Sequence, residues 1–227
     1  MWWVWDPTYL LVLPALFFAL YAQSQVRGAF DKYSRQKASS GYSGREVALA
    51  LLQAAGIDTV HVERTPQNLG DHYDPRAGVV RLSPQVYQGN SVAALGIAAH
   101  EIGHVLQHHT GYVPLNLRSN LVPLAGLGSN AAFPLFFAGF LFNSQGLMDL
   151  GIILFGVAVL FHVVTLPVER NASSRALALL ESHGYITAQE VQPVRKVLNA
   201  ASLTYLAATA MAVLQLARLL LLRGRRS

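Results

Sequence analysis

His100-Glu101-Ile102-Gly103-His104 sets two imidazoles four residues apart with a carboxylate between them. On a helix, residues at i and i+4 lie on one face, one turn apart, so both rings reach the same ion. Zinc held this way lowers the pKa of its water towards neutrality, and a nearby carboxylate takes the proton as the water attacks a peptide carbonyl. Glu101, rotated away from the two histidines, is cast as that general base. Ala98, Ala99 and Gly103 are small, which lets other backbone come close to the metal. With eight histidines and six glutamates in the chain, chance produces this pattern in roughly one such sequence in a hundred.

A catalytic zinc needs a third protein ligand and an open position for water. His108 continues the same face, but eight residues of helix rise about 12 Å, too far for one tetrahedral ion. His109 has the same difficulty, and both read as polar residues at a helix end. Asp149, in Met148-Asp149-Leu150-Gly151, faintly resembles the aspartate ligand of site-2 proteases. It falls between two apolar windows, a membrane thickness of about 30 Å from the histidine side, and suits an interfacial or helix-start carboxylate better. Glu169 is separated from the histidines by two crossings and so emerges on their side. Ala172, Ser173 and Ala176 follow it at i+3, i+4 and i+7, a small-residue face able to pack tightly against the histidine helix. Glu169 is therefore the preferred third ligand.

These residues need elements to hold them. The most polar stretch, about 27–118, reads as a small α+β unit. Ser43 and Glu46 have capping-box spacing and open a helix to about residue 55, which Gly56 stops. Residues 59–63 and 78–82 are short Val-containing strand candidates. Asp71-His72-Tyr73-Asp74-Pro75 between them reads as a turn, its Asp71, His72 and Asp74 either capping it or forming a second polar cluster near the site. Ser83-Pro84 starts a short helix. The histidine helix runs over 91–109 and ends at Gly111. Pro167 precedes a helix over 168–182, stopped by Gly184, and Thr187 with Glu190 forms a second capping box.

Charged residues make up only 13% of the chain against 52% hydrophobic, which a wholly soluble surface would struggle to cover. Windows 7–26, 119–148, 150–168 and 197–217 contain no Asp, Glu, Lys or Arg, and about 20 apolar residues cross the hydrocarbon core. The first window is read as a retained span rather than a cleaved signal, because Asp6 precedes it without a basic residue and Trp2, Trp3, Trp5 and Tyr9 resemble an interfacial belt. The formal charge of +5 shows no basic-aromatic module for nucleic acid. Arg27, Lys32, Arg35, Lys37 and Arg118 flank the histidine unit, and Arg170, Arg175, Arg195 and Lys196 flank the Glu169 segment. The positive-inside rule then puts the metal site in the cytosol. The tail, Arg223, Arg225 and Arg226, disagrees if a fourth crossing is complete. No cysteine is present, so disulfides and thiolate metal sites are excluded.

Asp71 to Arg76, Val80-Arg81-Leu82-Ser83, Ala98 to His104, and Pro167-Val168-Glu169 with Ala172-Ser173 together resemble the bacterial YugP-like neutral zinc metallopeptidases. The resemblance runs from the first apolar window to the fourth. More distantly, the chain is similar to the HtpX-like and CAAX prenyl proteases, in which a membrane hairpin separates H-E-x-x-H from a glutamate helix of pattern E-x-x-A-D. Here Ser173 replaces that aspartate, so only a hydroxyl is offered where a carboxylate would support the site.

The resemblance implies a mainly α integral membrane protein of about four transmembrane helices with a small α+β, zincin-like (gluzincin) unit. The expected parts are a first helix (1–26), the H-E-x-x-H unit (27–118), a transmembrane hairpin (119–168), the third-ligand and connecting helices (169–196), and a last membrane helix with basic tail (197–227). It also implies an endopeptidase with one Zn2+, held by His100, His104 and Glu169 and served by Glu101. Such a protein would sit as a multi-pass protein in the bacterial plasma membrane. The resemblance supplies no substrate, and the expected partners are protein or peptide substrates, membrane or misfolded proteins above all, with the bilayer and no nucleic acid. Asn171, Arg175 and Tyr205 are candidates for holding the oxyanion. His162, within an apolar window, is a candidate for lining an aqueous path. The 78–82 strand, read as an edge strand shortly before the histidine helix, is a candidate for holding an extended substrate by strand addition. The competing expectation is a zinc-stabilised scaffold without turnover, which would have no need of Glu101.

Overall fold

The computed structural model describes residues 6–68 and 70–225. Trp2, Trp3, Trp5 and Arg226 lie outside the described residues. The chain is mostly helical and forms two compact units. One comprises Met1–Gln23, Val113–Pro167 and Leu203–Ser227, and the other Ser24–Tyr112 and Val168–Ser202. Helices α1 (Leu13–Tyr33), α6 (Gln145–Ser182) and α7 (Ala188–Gly224) each contribute residues to both.

The second unit contains α2 (Gly44–Ala54), strands β1 (His61–Arg64), β2 (His72–Asp74) and β3 (Val79–Leu82), α3 (Pro84–Tyr87) and α4 (Val92–His109). Helix α2 begins at the expected capping box. The Glu46 amide donates to Ser43 Oγ at 3.3 Å, the Ser43 amide donates to Glu46 at 2.7 Å, and Gly56 ends the helix at φ 67°. Ser91 caps α4 through the Ala94 amide at 3.1 Å, and Gly111 terminates it at φ 62°. Thr187 and Glu190 meet at the start of α7, where the Thr187 amide donates to Glu190 at 2.7 Å. Packing of α2 on α4 and of both on the sheet buries Val47, Leu51, Val80, Leu82, Leu95 and Ile102. Each such side chain contributes about 1.5–3 kcal/mol.

The sheet corrects two expectations. Residues 72–74, read as part of a turn, form β2, antiparallel to β3 with Tyr73 opposite Val80. The turn starts three residues later. Asp74 Oδ1 accepts from the Arg76 and Ala77 amides at 3.0 and 3.3 Å, and Gly78 supplies φ 65°. Asp71 instead takes the Ser83 amide and hydroxyl at 2.7 and 3.0 Å. The strand order is β1-β3-β2, with β1 parallel to β3. The 78–82 strand is thus central rather than at an edge, and has no free side to accept a substrate strand.

Two helical breaks expected from the sequence are also absent. Residues 145–182 form one helix through Pro167, and 188–224 form one helix through residue 197. Pro167 removes one amide donor, but long runs of helix on either side keep the axis continuous.

In the first unit, a 3-10 turn (Pro7–Leu11) leads into α1, followed by α5 (Val113–Leu141), the first part of α6 and the last part of α7. Three of the described helices, α5, α6 and α7, are long and apolar enough to cross a membrane. Helix α1 does not join them. The turn takes the start of its apolar window, and Gln23, Gln25, Arg27 and Asp31 fall in its second half. Helices α5 and α6 meet at glycines: a Cβ on Gly128 would lie 2.5 Å from the Leu154 carbonyl oxygen, and one on Gly151 2.6 Å from that of Ala132. Exposed Leu124, Leu127, Ile153 and Leu220 suit contact with lipid.

Gly128→Ala should destabilise this unit by ~1–3 kcal/mol through overpacking, whereas Gly126→Ala, which meets nothing within 4 Å, should not. Thermal unfolding midpoints of the two variants in detergent provide the comparison.

Candidate metal centre

Helix α4 projects His100 and His104 from one face, their ring centroids 4.8 Å apart and nearly perpendicular. Beside them, α6 passes with almost no side chain between the backbones. A Cβ on Gly103 would stand 2.6 Å from the Ala172 carbonyl oxygen, and Ala172 and Ala176 are fully buried. This contact carries Glu169, one turn before Ala172, to the two imidazoles. Glu169 is 3% exposed, with Oε2 3.3 Å from His100 Nε2 and 3.5 Å from His104 Nε2.

Those spacings are informative. A charge-assisted N–H···O bond closes to about 2.7–2.9 Å. Zinc–nitrogen and zinc–oxygen bonds of about 2.0–2.2 Å, by contrast, set tetrahedron edges of about 3.3–3.6 Å. The measured distances match the edges. All three ligand atoms lie within 4.8 Å of one another, and two imidazoles with one carboxylate are a donor set suited to catalytic zinc. The residues fit the ion.

Electrostatics agree with a site built for a cation. Burial pushes the Glu169 carboxyl up, but the contacts with both histidines and their charges outweigh it and hold the group far below the usual carboxylate range. For His104, burial opposes the cation. Contact with Glu169, the charges of Glu101 and Glu169 and the bond to Gln107 together raise it above its ordinary value. Glu101 is 7% exposed and follows His100 on α4.

The far side of each ring is also held. His100 Nδ1 meets Ser173 Oγ at 3.2 Å, so the hydroxyl in place of the expected carboxylate does reach the ring. His104 Nδ1 donates to Gln107 Oε1 at 3.0 Å. The Gln107 amide nitrogen donates to the Val168 carbonyl at 2.8 Å and to Asn171 Oδ1 at 2.9 Å. Arg175 Nε donates to the same Asn171 oxygen at 2.9 Å, and its guanidinium lies 5.9 Å from the Tyr112 ring centroid. Asn171 and Arg175 are therefore brought beside the site, but engaged with one another and with Gln107.

The remaining candidates have other settings. His162 and Tyr205 belong to the first unit, where the Thr209 hydroxyl donates to their backbone carbonyls at 3.3 and 2.8 Å. Asp149 is also in that unit and takes a two-pronged bond from Arg223 at 2.9 and 3.1 Å. His108 and His109 are exposed at the end of α4, with His108 3.2 Å from the Tyr73 hydroxyl. His72 donates to the Gly70 carbonyl at 2.8 Å, and Asp74 accepts from Arg81 at 3.3 Å, both as hairpin contacts. Burial first, and then the charge of Glu101, raise the Asp71 carboxyl against the opposing pull of its Ser83 bonds.

Gln107 escaped the sequence reading. Its signal was its place at i+3 from His104, on the same face of one helix.

The chain matches the model of a family described as putative neutral zinc metallopeptidase over residues 8–224. It is 46% identical over 217 residues to "Putative membrane protease YugP" of Bacillus subtilis (strain 168), covering 95% of this chain and 96% of that protein. No solved structure matches.

Glu169→Ala should weaken zinc binding by more than about 100-fold, beyond what loss of an outer-shell partner costs, while Asp149→Ala should leave it unchanged. Zinc content and chelator competition on both purified variants check the assignment; metal release by the Asp149 change alone would reverse it.

Proposed function

The chain belongs to the putative neutral zinc metallopeptidase family, and from that premise we propose that it is a membrane-embedded endopeptidase that binds one zinc through His100, His104 and Glu169. The observation that carries this reading is the placing of Glu169 Oε2 at tetrahedral-edge distance from both Nε2 atoms, with buried Glu101 on the histidine helix.

Bound zinc would supply Lewis acidity towards water and the scissile carbonyl. Glu101 holds the attacking water and takes its proton at a carboxylate oxygen as the new C–O bond forms. It then passes that proton to the amide nitrogen as the C–N bond breaks. Burial of Glu101 keeps bulk water from competing for that proton. Ser173 and Gln107 hold the two imidazoles from behind. Helix α4 lies against a three-stranded sheet in the same unit, which supports the zincin-like (gluzincin) description. Substrates on this reading are membrane or misfolded proteins. A silent zinc scaffold has no use for Glu101, and the Arg223 pair accounts for Asp149 without the site-2-protease arrangement.

Four crossings, not three, are favoured by contacts inside the first unit. Arg218 on α7 donates to Asp6 at 2.8 Å and to Thr8 at 3.0 Å, and its guanidinium stands 3.7 Å from the Tyr9 ring centroid. Arg223 pairs with Asp149 near the start of α6. The start of the first apolar window, the start of α6 and the end of α7 thus share one end of that unit. This supports a last helix that crosses fully and a first window that crosses beside it. The basic residues flanking the metal unit outnumber those of the tail, which supports a cytosolic site in a bacterial plasma membrane, with the tail outside.

Glu101→Gln should keep about one zinc per chain and lose cleavage of casein or a membrane peptide by ~10²–10⁴-fold; unchanged cleavage would overturn the mechanism. A reporter fused to the C-terminus should report the extracytoplasmic side, and a cytosolic signal would remove the fourth crossing.

A further inference from the structure

Gln107 is fully buried beside a core cluster that is mainly aliphatic. A buried amide is costly unless its polar atoms are paired, and here they are. Its oxygen accepts from His104, and its nitrogen donates both hydrogens, to the Val168 carbonyl and to Asn171 Oδ1. Turning the amide over would set a carbonyl oxygen against two acceptors. Its orientation is therefore dictated from α6, and with it the tautomer of His104. Because the amide oxygen can only accept, Nδ1 of His104 must carry a proton, which leaves Nε2 as the nitrogen that would take the ion beside Glu169.

Val168 and Asn171 bracket Glu169 on α6, one residue before it and two after. One side chain on α4 thus grips the helix that carries the carboxylate and also aims an imidazole of its own helix. His100 lacks this arrangement. Its Nδ1 partner is the Ser173 hydroxyl, which can donate or accept and so does not dictate a tautomer. The grip extends outward, since Arg175 fixes the Asn171 oxygen and rests over Tyr112, just beyond the end of α4.

We infer that Gln107 is a positioning residue for the metal centre, fixing His104 in its Nδ1–H form while locking the Glu169 segment of α6 against α4. The inference rests on the reading of His104 and Glu169 as ligands. Partners of this kind, bonded to the outer nitrogen of a ligand histidine, set ring orientation and basicity, and their loss weakens metal binding by about 10- to 100-fold.

The test uses the full chain in detergent, with zinc affinity read by chelator competition, the visible spectrum of the cobalt(II)-loaded protein, and thermal unfolding of the metal-free protein. Gln107→Met keeps the volume but removes all three bonds. It should weaken zinc binding about 10- to 100-fold and change the cobalt bands. Gln107→Glu keeps the acceptor for His104 and loses both donors to α6. It should recover most of the affinity and the cobalt spectrum while unfolding at a lower temperature than the parent. A role as an interhelix clasp alone predicts that Met and Glu impair metal binding equally, and that result overturns the inference, as does parental affinity in Gln107→Met. If Gln107→Met does not fold, Gln107→Ala makes the same deletion with a smaller demand on packing and is judged by the same outcomes. His104→Ala separates the two levels: if it leaves zinc binding intact, the ligand reading itself falls, whereas its failure to bind beside a normal Gln107→Met removes only the positioning role.

Discussion

The backbone contact between Gly103 and Ala172 is the constraint on which the metal centre depends. Two helices from distant parts of the chain approach so closely there that a single methyl group would collide with a carbonyl oxygen. At that separation a glutamate side chain from α6 spans to imidazoles on α4 and holds the spacing that a tetrahedral ion needs. A wider gap would leave Glu169 out of reach. On α6, Ala172 and Ala176 serve the same end, since each is fully buried and too small to hold the helices apart.

That closeness creates an electrostatic problem which the same residues resolve. Glu169 and Glu101 are carboxylates taken out of water, and an isolated buried charge is strongly disfavoured. Glu169 is compensated by the two imidazoles that face it, and a metal bound by the three would complete the set. The imidazoles are compensated from behind by Ser173 and Gln107. Polar groups at the site form a connected set running from Glu169 through His104 and Gln107 to Asn171 and Arg175. Its inner members, Glu169 and Gln107, are buried, which strengthens their interactions and raises the cost of losing any one.

The apolar unit follows a related logic with different partners. Glycines again set the closest helix approach, at Gly128 and Gly151 on α5 and α6. Two ion pairs, Arg218 with Asp6 and Arg223 with Asp149, hold four of its charged groups. Pairing is what permits ionised groups to persist beside hydrocarbon. It also gives Asp149 a role that involves no metal.

Features set by local spacing were legible in the amino-acid sequence. The i, i+4 histidines, the Ser43–Glu46 box, the Ser91 cap, the glycine stops and the apolar windows depend on neighbours within a few residues, and short-range sterics and hydrogen bonding dictate them. Even the approach of Glu169 to the two histidines could be expected, because its small-residue face is periodic. Other features were decided by tertiary structure. Residues 72–74 became a strand because β3 offered a partner, and β3 became central because β1 joined its other side. Pro167 did not break α6, since long helix on both sides outweighed one missing bond. Gln107 acquired its role only when Val168 and Asn171, some sixty residues away, came within reach of its amide. The sequence by itself determined which atoms could bind a metal. Only the packing of α6 on α4 decided which of them converge and how they are held, because hydrogen bonds between distant segments exist only after apolar burial has brought their helices together.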